Sequence, residues 1–407
     1  MTQLLNQLDT KANVPPRGLA LWQLGFRPFF LLAVFYAVIV MLLWLAVRHG
    51  LHFPGLDYYG LNLWHAHEMV FGYGLAVIAG FLLTAIKNWT GVQTAAHGQL
   101  KLLVALWLLA RLVVYIPGLP VLLLAIGDVA FSILLIYFVA QPLVKVGNRR
   151  NYKMIVLVSL FATLNVLSHV MLLNQQPILA NQMTTATLLV MLLLIGVMAG
   201  RVFPMFSQNG VTNRYQAKQF SWLEKLWPPV MIAFILVFSW LRFSEWGAWL
   251  LFALAALSAV LHAVRLWGWY DHQIWQKPLV WVLHVGYAFL VMGFIAIACS
   301  VIWPALYFLG LHLFTIGGLG VITLGMMSRV SLGHSGRNIH QPPKLLTVVF
   351  LLLVASVLIR FFVPLLNVMS YQASIDMAGT LWVLAYGLFF VRYLGIWLKP
   401  RVDGRPG

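Results

Sequence analysis

The 407-residue chain carries twelve histidines against only nine acidic residues and one cysteine. Five of the histidines, His65, His67, His169, His284 and His312, fall inside long apolar runs. One buried histidine is ordinarily a hydrogen-bonded structural residue. Several neutral imidazoles spread over four or five apolar segments exceed what packing needs. Imidazole is the commonest protein metal ligand and suits haem iron and copper. In Trp64-His65-Ala66-His67-Glu68-Met69 the two imidazoles are two residues apart, so on a helix they point about 200° apart. They cannot readily chelate one ion together, but they could serve two centres on opposite faces. His65 and Glu68, three apart, share a face, either as co-ligands or with Glu68 orienting His65. Tyr287 follows three residues after His284, on the same face.

The other histidines read more plainly. His262 has the position of a structural residue at a helix end. His97, His272 and His340 lie in loops and are expected to be solvated, as are His49 and His52. His334, in Arg329-Val-Ser-Leu-Gly-His334-Ser-Gly-Arg337, reads equally as a ligand or as part of an exposed basic turn just outside an apolar segment. The thioethers of Met198, Met326 and Met327 suit Cu(I) but read first as core filler. The single cysteine, Cys299, excludes an internal disulfide, a Cys₄ metal site and a C-x-x-C-H haem attachment.

The elements that position these residues follow from composition. The chain is 62% hydrophobic and 9% charged, with mean hydropathy +0.90. A soluble domain carries about 25% charged residues, so the solvent here is lipid. Unpaired backbone groups are too costly in hydrocarbon, which leaves helices or closed barrels, and near-continuous apolar runs exclude a barrel. The fold class is therefore an all-α, polytopic membrane bundle. Twelve spans are expected: 29–47, 65–86, 101–116, 121–140, 154–173, 183–203, 227–241, 246–264, 279–303, 305–328, 345–363 and 376–398. They make one integral-membrane domain over 1–407, with a cytoplasmic N-terminal segment 1–28, a bundle 29–398 and a cytoplasmic tail 399–407. The net charge of +17 reads as topology, not as nucleic-acid binding. With the N-terminus in the cytoplasm of a bacterial-type cell, all but four of the 26 lysines and arginines fall on the cytoplasmic side, as the positive-inside rule requires. The exceptions are Arg48, Arg111, Arg242 and Arg360. In this frame His65, His67, His169 and His312 lie toward the periplasm and His284 toward the cytoplasm.

Ionisable groups inside a membrane are expensive and face the bundle interior. Arg111 and Asp128 flank a short Pro-Gly-Leu-Pro turn at matching depth, so an ion pair between them is expected. It reads first as a structural clamp, with an arginine–propionate contact to haem as the alternative.

Several blocks in order resemble the NnrS family of bacterial membrane proteins. They are Gly25-Phe-Arg27-Pro28-Phe-Phe, Trp64-His65-Ala-His67-Glu68-Met, Gly80-Phe-Leu-Leu-Thr84, Asn88-Trp-Thr-Gly91, Gly200-Arg201-Val-Phe-Pro204, Leu283-His284-Val-Gly-Tyr287 and His312-Leu-Phe-Thr315-Ile-Gly317, the last running on to Arg337. The resemblance covers nearly the whole chain. It implies a haem- and copper-containing protein of the cytoplasmic membrane tied to nitric oxide metabolism, nitrosative stress and denitrification. The embedded histidines would then hold the cofactors: His65, His67 and His312 first, then His284 and His169, with Glu68 and His334 as further metal candidates. Electron-donor or denitrification proteins would be its partners besides lipid.

Short echoes at the ends of the sixth and tenth helices, Met198-Ala-Gly-Arg201 and Met326-Met-Ser-Arg329, hint at three repeats of four helices, as in haem-copper oxidase catalytic subunits. The copper site of those enzymes needs a histidine on the sixth helix and an adjacent His-His pair. This chain has neither, so a standard reductase site is not evident and enzymatic activity stays open. The alternatives are a divergent nitric oxide reductase or oxidase, for which the embedded carboxylates Glu68 and Asp128 are few, and a twelve-helix transporter of a metal or small solute.

Overall fold

The computed structural model describes residues 18–211 and 215–404. Most of the expected N-terminal segment, and the end of the tail, lie outside the described residues. Twelve long helices follow one another, with no β-strand among the described residues: α1 (Phe26–Arg48), α2 (Leu61–Thr90), α3 (Gly98–Val113), α4 (Val121–Lys145), α5 (Tyr152–Leu173), α6 (Pro177–Gly210), α7 (Ser221–Leu241), α8 (Glu245–Trp269), α9 (Pro278–Cys299), α10 (Leu306–His334), α11 (Leu345–Leu365) and α12 (Tyr371–Leu398). Eleven are long and apolar enough to cross a membrane. The remaining one, α3, has 16 residues. At 1.5 Å per residue that is about 24 Å, short of a hydrocarbon core of about 30 Å. The chain is a multi-pass membrane protein.

The helices begin and end where the sequence allows. Pro177 and Pro278 open α6 and α9, where a missing N–H costs nothing. Ser370 caps α12 through Ala373 N at 3.2 Å. Several boundaries differ from expectation by five residues or more, those of α6 and α10 among them. Helix α6 runs well beyond the expected 183–203, continuing through Pro204. Helix α10 continues to His334, so His334 is the last helical residue and not part of an external turn; the chain reverses only at Gly336, whose φ is +75°.

The two chain ends meet at one end of the bundle, here called the termini end. Ala20 N donates to Leu398 O at 2.8 Å. Arg27 donates to the carbonyls of Ile396, Trp397 and Lys399 at 3.1, 3.1 and 2.7 Å, capping the otherwise unpaired last turn of α12. Phe26 N is held by Thr84 Oγ1 of α2 at 3.0 Å. The Gly25-Phe-Arg-Pro block thus locks α1, α2 and α12 together.

At the far end, a short helix, Gly55–Tyr59, lies between α1 and α2. Helices α2 and α10 both widen into π-type turns, at Glu68–Gly74 and Leu313–Val321, directly after their histidines. Such turns insert one extra residue, rotate the faces before and after it, and release carbonyls. The Gly72 carbonyl is taken up by Trp107 Nε1 of α3 at 3.1 Å. Gly72 itself is dictated by packing, since a Cβ there would lie 2.5 Å from the Tyr36 ring and 3.1 Å from Glu68 Oε2.

Candidate metal centre

Five residues from four helices meet at the far end. Their assembly starts at the close crossing of α3 and α4, where a Cβ on Gly127 would lie 3.4 Å from the backbone N of Ala110. Small residues let the helices approach, and the next residue on each is Arg111 and Asp128. Arg111 Nη2 donates to Asp128 Oδ1 at 2.6 Å, the pairing expected from the short turn. Arg111 Nε also lies 3.2 Å from Glu68 Oε2 of α2, and the Tyr36 hydroxyl of α1 donates to that same oxygen. All four side chains are buried.

His67 lies between the two carboxylates, its Nδ1 3.1 Å from Glu68 Oε1 and its Nε2 3.1 Å from Asp128 Oδ2. A carboxylate oxygen accepts and does not donate, so each ring nitrogen needs a hydrogen or, at Nε2, a metal. His169 of α5 presents Nε2 at 3.4 Å from the same Asp128 Oδ2. Its Nδ1 lies 3.1 Å from the Tyr58 hydroxyl. Burial, with the Asp128 charge adding to it, raises the Tyr58 phenol above its ordinary pKa, so this partner is a neutral hydroxyl. Asn165 Nδ2 donates to Asp128 Oδ2 at 3.1 Å.

Among the described residues, His67, Asp128 and His169 are the one set of three such side chains whose ligand atoms lie within 4.8 Å of one another. The separations fit a shared ion: metal–ligand bonds of about 2.0–2.1 Å place tetrahedral neighbours about 3.3 Å apart. Each imidazole is also oriented on its other nitrogen, His67 by Glu68 and His169 by Tyr58, the usual support for a ligating histidine. Counting Glu68, Asp128 and Arg111, the buried cluster carries one negative charge until a proton or a metal joins it.

The geometry redistributes the expected roles. Glu68 orients His67, its neighbour, and not His65, because His65 turns to the opposite face and stacks on Trp44 with ring centroids 4.2 Å apart. The two imidazoles lie on opposite faces of α2. His312 of α10 lies within electrostatic range of His65 and Arg360. Its Nδ1 donates to Phe308 O at 2.7 Å, leaving Nε2 for another partner. His65 Nδ1 is buried without a partner.

His284 is engaged on both nitrogens, Nδ1 with Val280 O at 3.0 Å and Nε2 with Ser207 Oγ and Trp269 O at 3.3 and 3.2 Å. Tyr287, which with His284 flanks the Phe203 ring, accepts from Arg265 at 2.6 Å and meets His262 Nδ1 at 2.5 Å. His334 Nε2 meets the Asn88 amide, at 3.3 Å. Asp128, read as half of a clamp, becomes the carboxylate of the candidate site. Its depth, shared with His67 and His169, was the signal that could have placed it there.

A helical membrane bundle with a buried imidazole–carboxylate site is thus the class that fold and geometry define. The chain belongs to the NnrS family: the family described as NnrS protein matches residues 20–401, and it is a membrane-protein family linked to the nitric oxide response. No curated protein matches the chain.

Proposed function

We propose that this is a haem- and copper-binding protein of the inner membrane, with both termini cytoplasmic, acting in nitric oxide metabolism and protection from nitrosative stress. The observation that carries the reading is the convergence of His67, His169 and Asp128 at 3.1 and 3.4 Å, in a buried cluster short of one positive charge. Two imidazoles and a carboxylate, with no thiolate, suit copper, zinc or iron(II) by ligand type, and the family resemblance favours copper among them. A monovalent ion there would neutralise the cluster, and a divalent one would leave a single positive charge. The charge bias of the loops supports the orientation.

For haem, the residues that fit are His65 and His312. The first has an unpartnered buried nitrogen, and the second is oriented through a backbone carbonyl. When bound, haem and copper supply one-electron chemistry and coordination positions open to a diatomic ligand. The protein's own part is to exclude water with the buried rings of Tyr59, Phe71 and Trp107, to orient both imidazoles of the copper set, and to hold Asp128 ionised with Arg111 and Asn165.

The test is metal analysis and visible spectroscopy of the purified chain, with and without nitric oxide. Haem bands that shift with nitric oxide, plus stoichiometric copper, are expected. A protein free of both would sink the reading and favour transport. His312→Ala is expected to lose haem while it keeps copper and expression.

A further inference from the structure

Arg360 of α11 is 5% exposed. Its one polar side-chain partner among the described residues is the Tyr371 hydroxyl, at 2.7 Å, and its Nη1 is buried with no partner at all. No carboxylate lies within ion-pair range of it among the described residues. Arg111 and Arg265, by contrast, hold Glu68 and Asp128, and Glu224. The formal charge that acts on Arg360 has the same sign, that of Arg48. Asp376 reaches Arg48 only through Gln372, whose Oε1 accepts from Arg48 and whose Nε2 donates to Asp376. A guanidinium kept from both water and an anion is among the costliest groups a protein can bury.

What surrounds Arg360 is arranged for a ligand. Arg48 lies over the Trp44 ring at 5.7 Å, and Trp44 stacks on His65, so the three side chains form one stack between α1 and α2. The segment of α10 that carries His312 packs on α11, which carries Arg360, and the Arg360 charge acts on both imidazoles. Two buried nitrogens, Arg360 Nη1 and His65 Nδ1, lack partners. A guanidinium fork matches two oxygens in one plane.

We infer that Arg360, with Arg48 and His65 beside it, forms a binding site for an oxyanion of the carboxylate type, the missing counter-ion of the far end. Two sources share this chemistry: a carboxylate arm of haem, which rests on the haem reading above, and a free small oxyanion, which does not. Arg360 anchors the anion and Tyr371 holds the guanidinium in place.

The experiment uses the purified full chain in nanodiscs, as wild type, Arg360→Met and Arg360→Lys. Two quantities are read: the midpoint potential and retention of any haem, and the unfolding temperature during titration with sodium nitrite or sodium formate. If a haem carboxylate is the anion, Arg360→Met lowers the potential, because a positive charge is withdrawn, and haem washes out faster. If a free oxyanion is bound, the wild type rises in unfolding temperature with nitrite or formate, Arg360→Met does not, and the potential is unmoved. Arg360→Lys, which keeps the charge and loses the fork, falls between in either case. A wild-type chain without haem would end the haem reading, and the anion titration alone would then decide this one. Unchanged potential together with no anion-dependent stabilisation in the wild type overturns the proposal. Should Arg360→Met fail to accumulate, the same two measurements on Arg360→Lys decide.

Discussion

Two buried histidine clusters occupy opposite ends of the bundle, and they resolve their charges differently. Near the termini end, Arg265 takes both oxygens of Glu224, at 2.8 and 3.0 Å. It also donates to Gly196 O and to the Tyr287 hydroxyl, at 3.1 and 2.6 Å, and Tyr287 meets His262. One cation faces one anion, and the Glu224 side chain is about a third exposed (35%). At the far end one cation, Arg111, faces two fully buried carboxylates, and two imidazoles converge on one oxygen of Asp128. Residue types are similar in the two places. The difference lies in charge balance and in whether ring nitrogens end on carbonyls and hydroxyls or on a common carboxylate. By that measure the termini-end cluster is a closed structural network, and the far-end cluster is open to one more cation.

The sharpest way to break this contrast is to delete one histidine from each end. His169→Ala removes one of three candidate ligands and loses polar contacts to Tyr58 and Asp128, so on the copper reading bound metal is expected to fall to near zero. His284→Ala is expected to keep the full metal content. Metal analysis of both variants checks this, and equal loss in both would erase the distinction drawn here.

The guanidiniums provide the next test. Arg111→Met leaves two buried carboxylates facing each other and is expected to cost about 3–5 kcal/mol, read from unfolding in mixed micelles. It should also tighten cation binding, because the site becomes more negative. Arg265→Met leaves only a partly solvated Glu224, and a smaller cost of about 1–3 kcal/mol is expected, with metal content unchanged. Metal binding that weakens in Arg111→Met in step with stability would show Arg111 to be part of the binding site and not its counterweight.

Much of the scaffold could be read from residue types. Lipid as solvent leaves little choice but helices, and the basic residues sort by loop. Arg111 and Asp128 could be paired because one short turn forces their helices together. What could not be read was rotation. The π-type turns after His67 and His312 displace the residues that follow on α2 and α10, and Glu68, three residues from His65, swings its carboxylate to its neighbour His67. The engagement of both His284 nitrogens depends on carbonyls, including Trp269 O from another helix, to which side-chain identity gives no clue. The α10 boundary was missed because the Gly- and Arg-rich stretch 329–337 looks like a turn while its backbone stays helical as far as His334.

Glu68 sharpens the comparison at lower amplitude. It contacts His67 Nδ1 and would not touch the metal, so Glu68→Gln keeps the three ligands and loosens one. A 10–100-fold weaker copper affinity is expected, measured by competition with a chelator. A loss as complete as that of His169→Ala would make Glu68 a ligand.

The smallest expected effect belongs to Tyr58, outside the spans and beside His169. A neutral hydroxyl bond of this kind contributes about 0.5–1.5 kcal/mol, so Tyr58→Phe should weaken copper binding by only a few-fold to about tenfold. The sign of its pH dependence is informative. An ordinary tyrosine titrates near pH 10, and burial beside Asp128 moves Tyr58 higher still, so the phenol stays protonated at all pH values at which the protein is handled. Its contribution, taken as the ratio of wild-type to Tyr58→Phe affinity, should therefore be flat from pH 6 to about pH 9. A ratio that climbed with pH across that range would mean that Tyr58 binds as a phenolate. The site would then have four ligands, and the negative charge of the far end would be larger than the comparison above assumes.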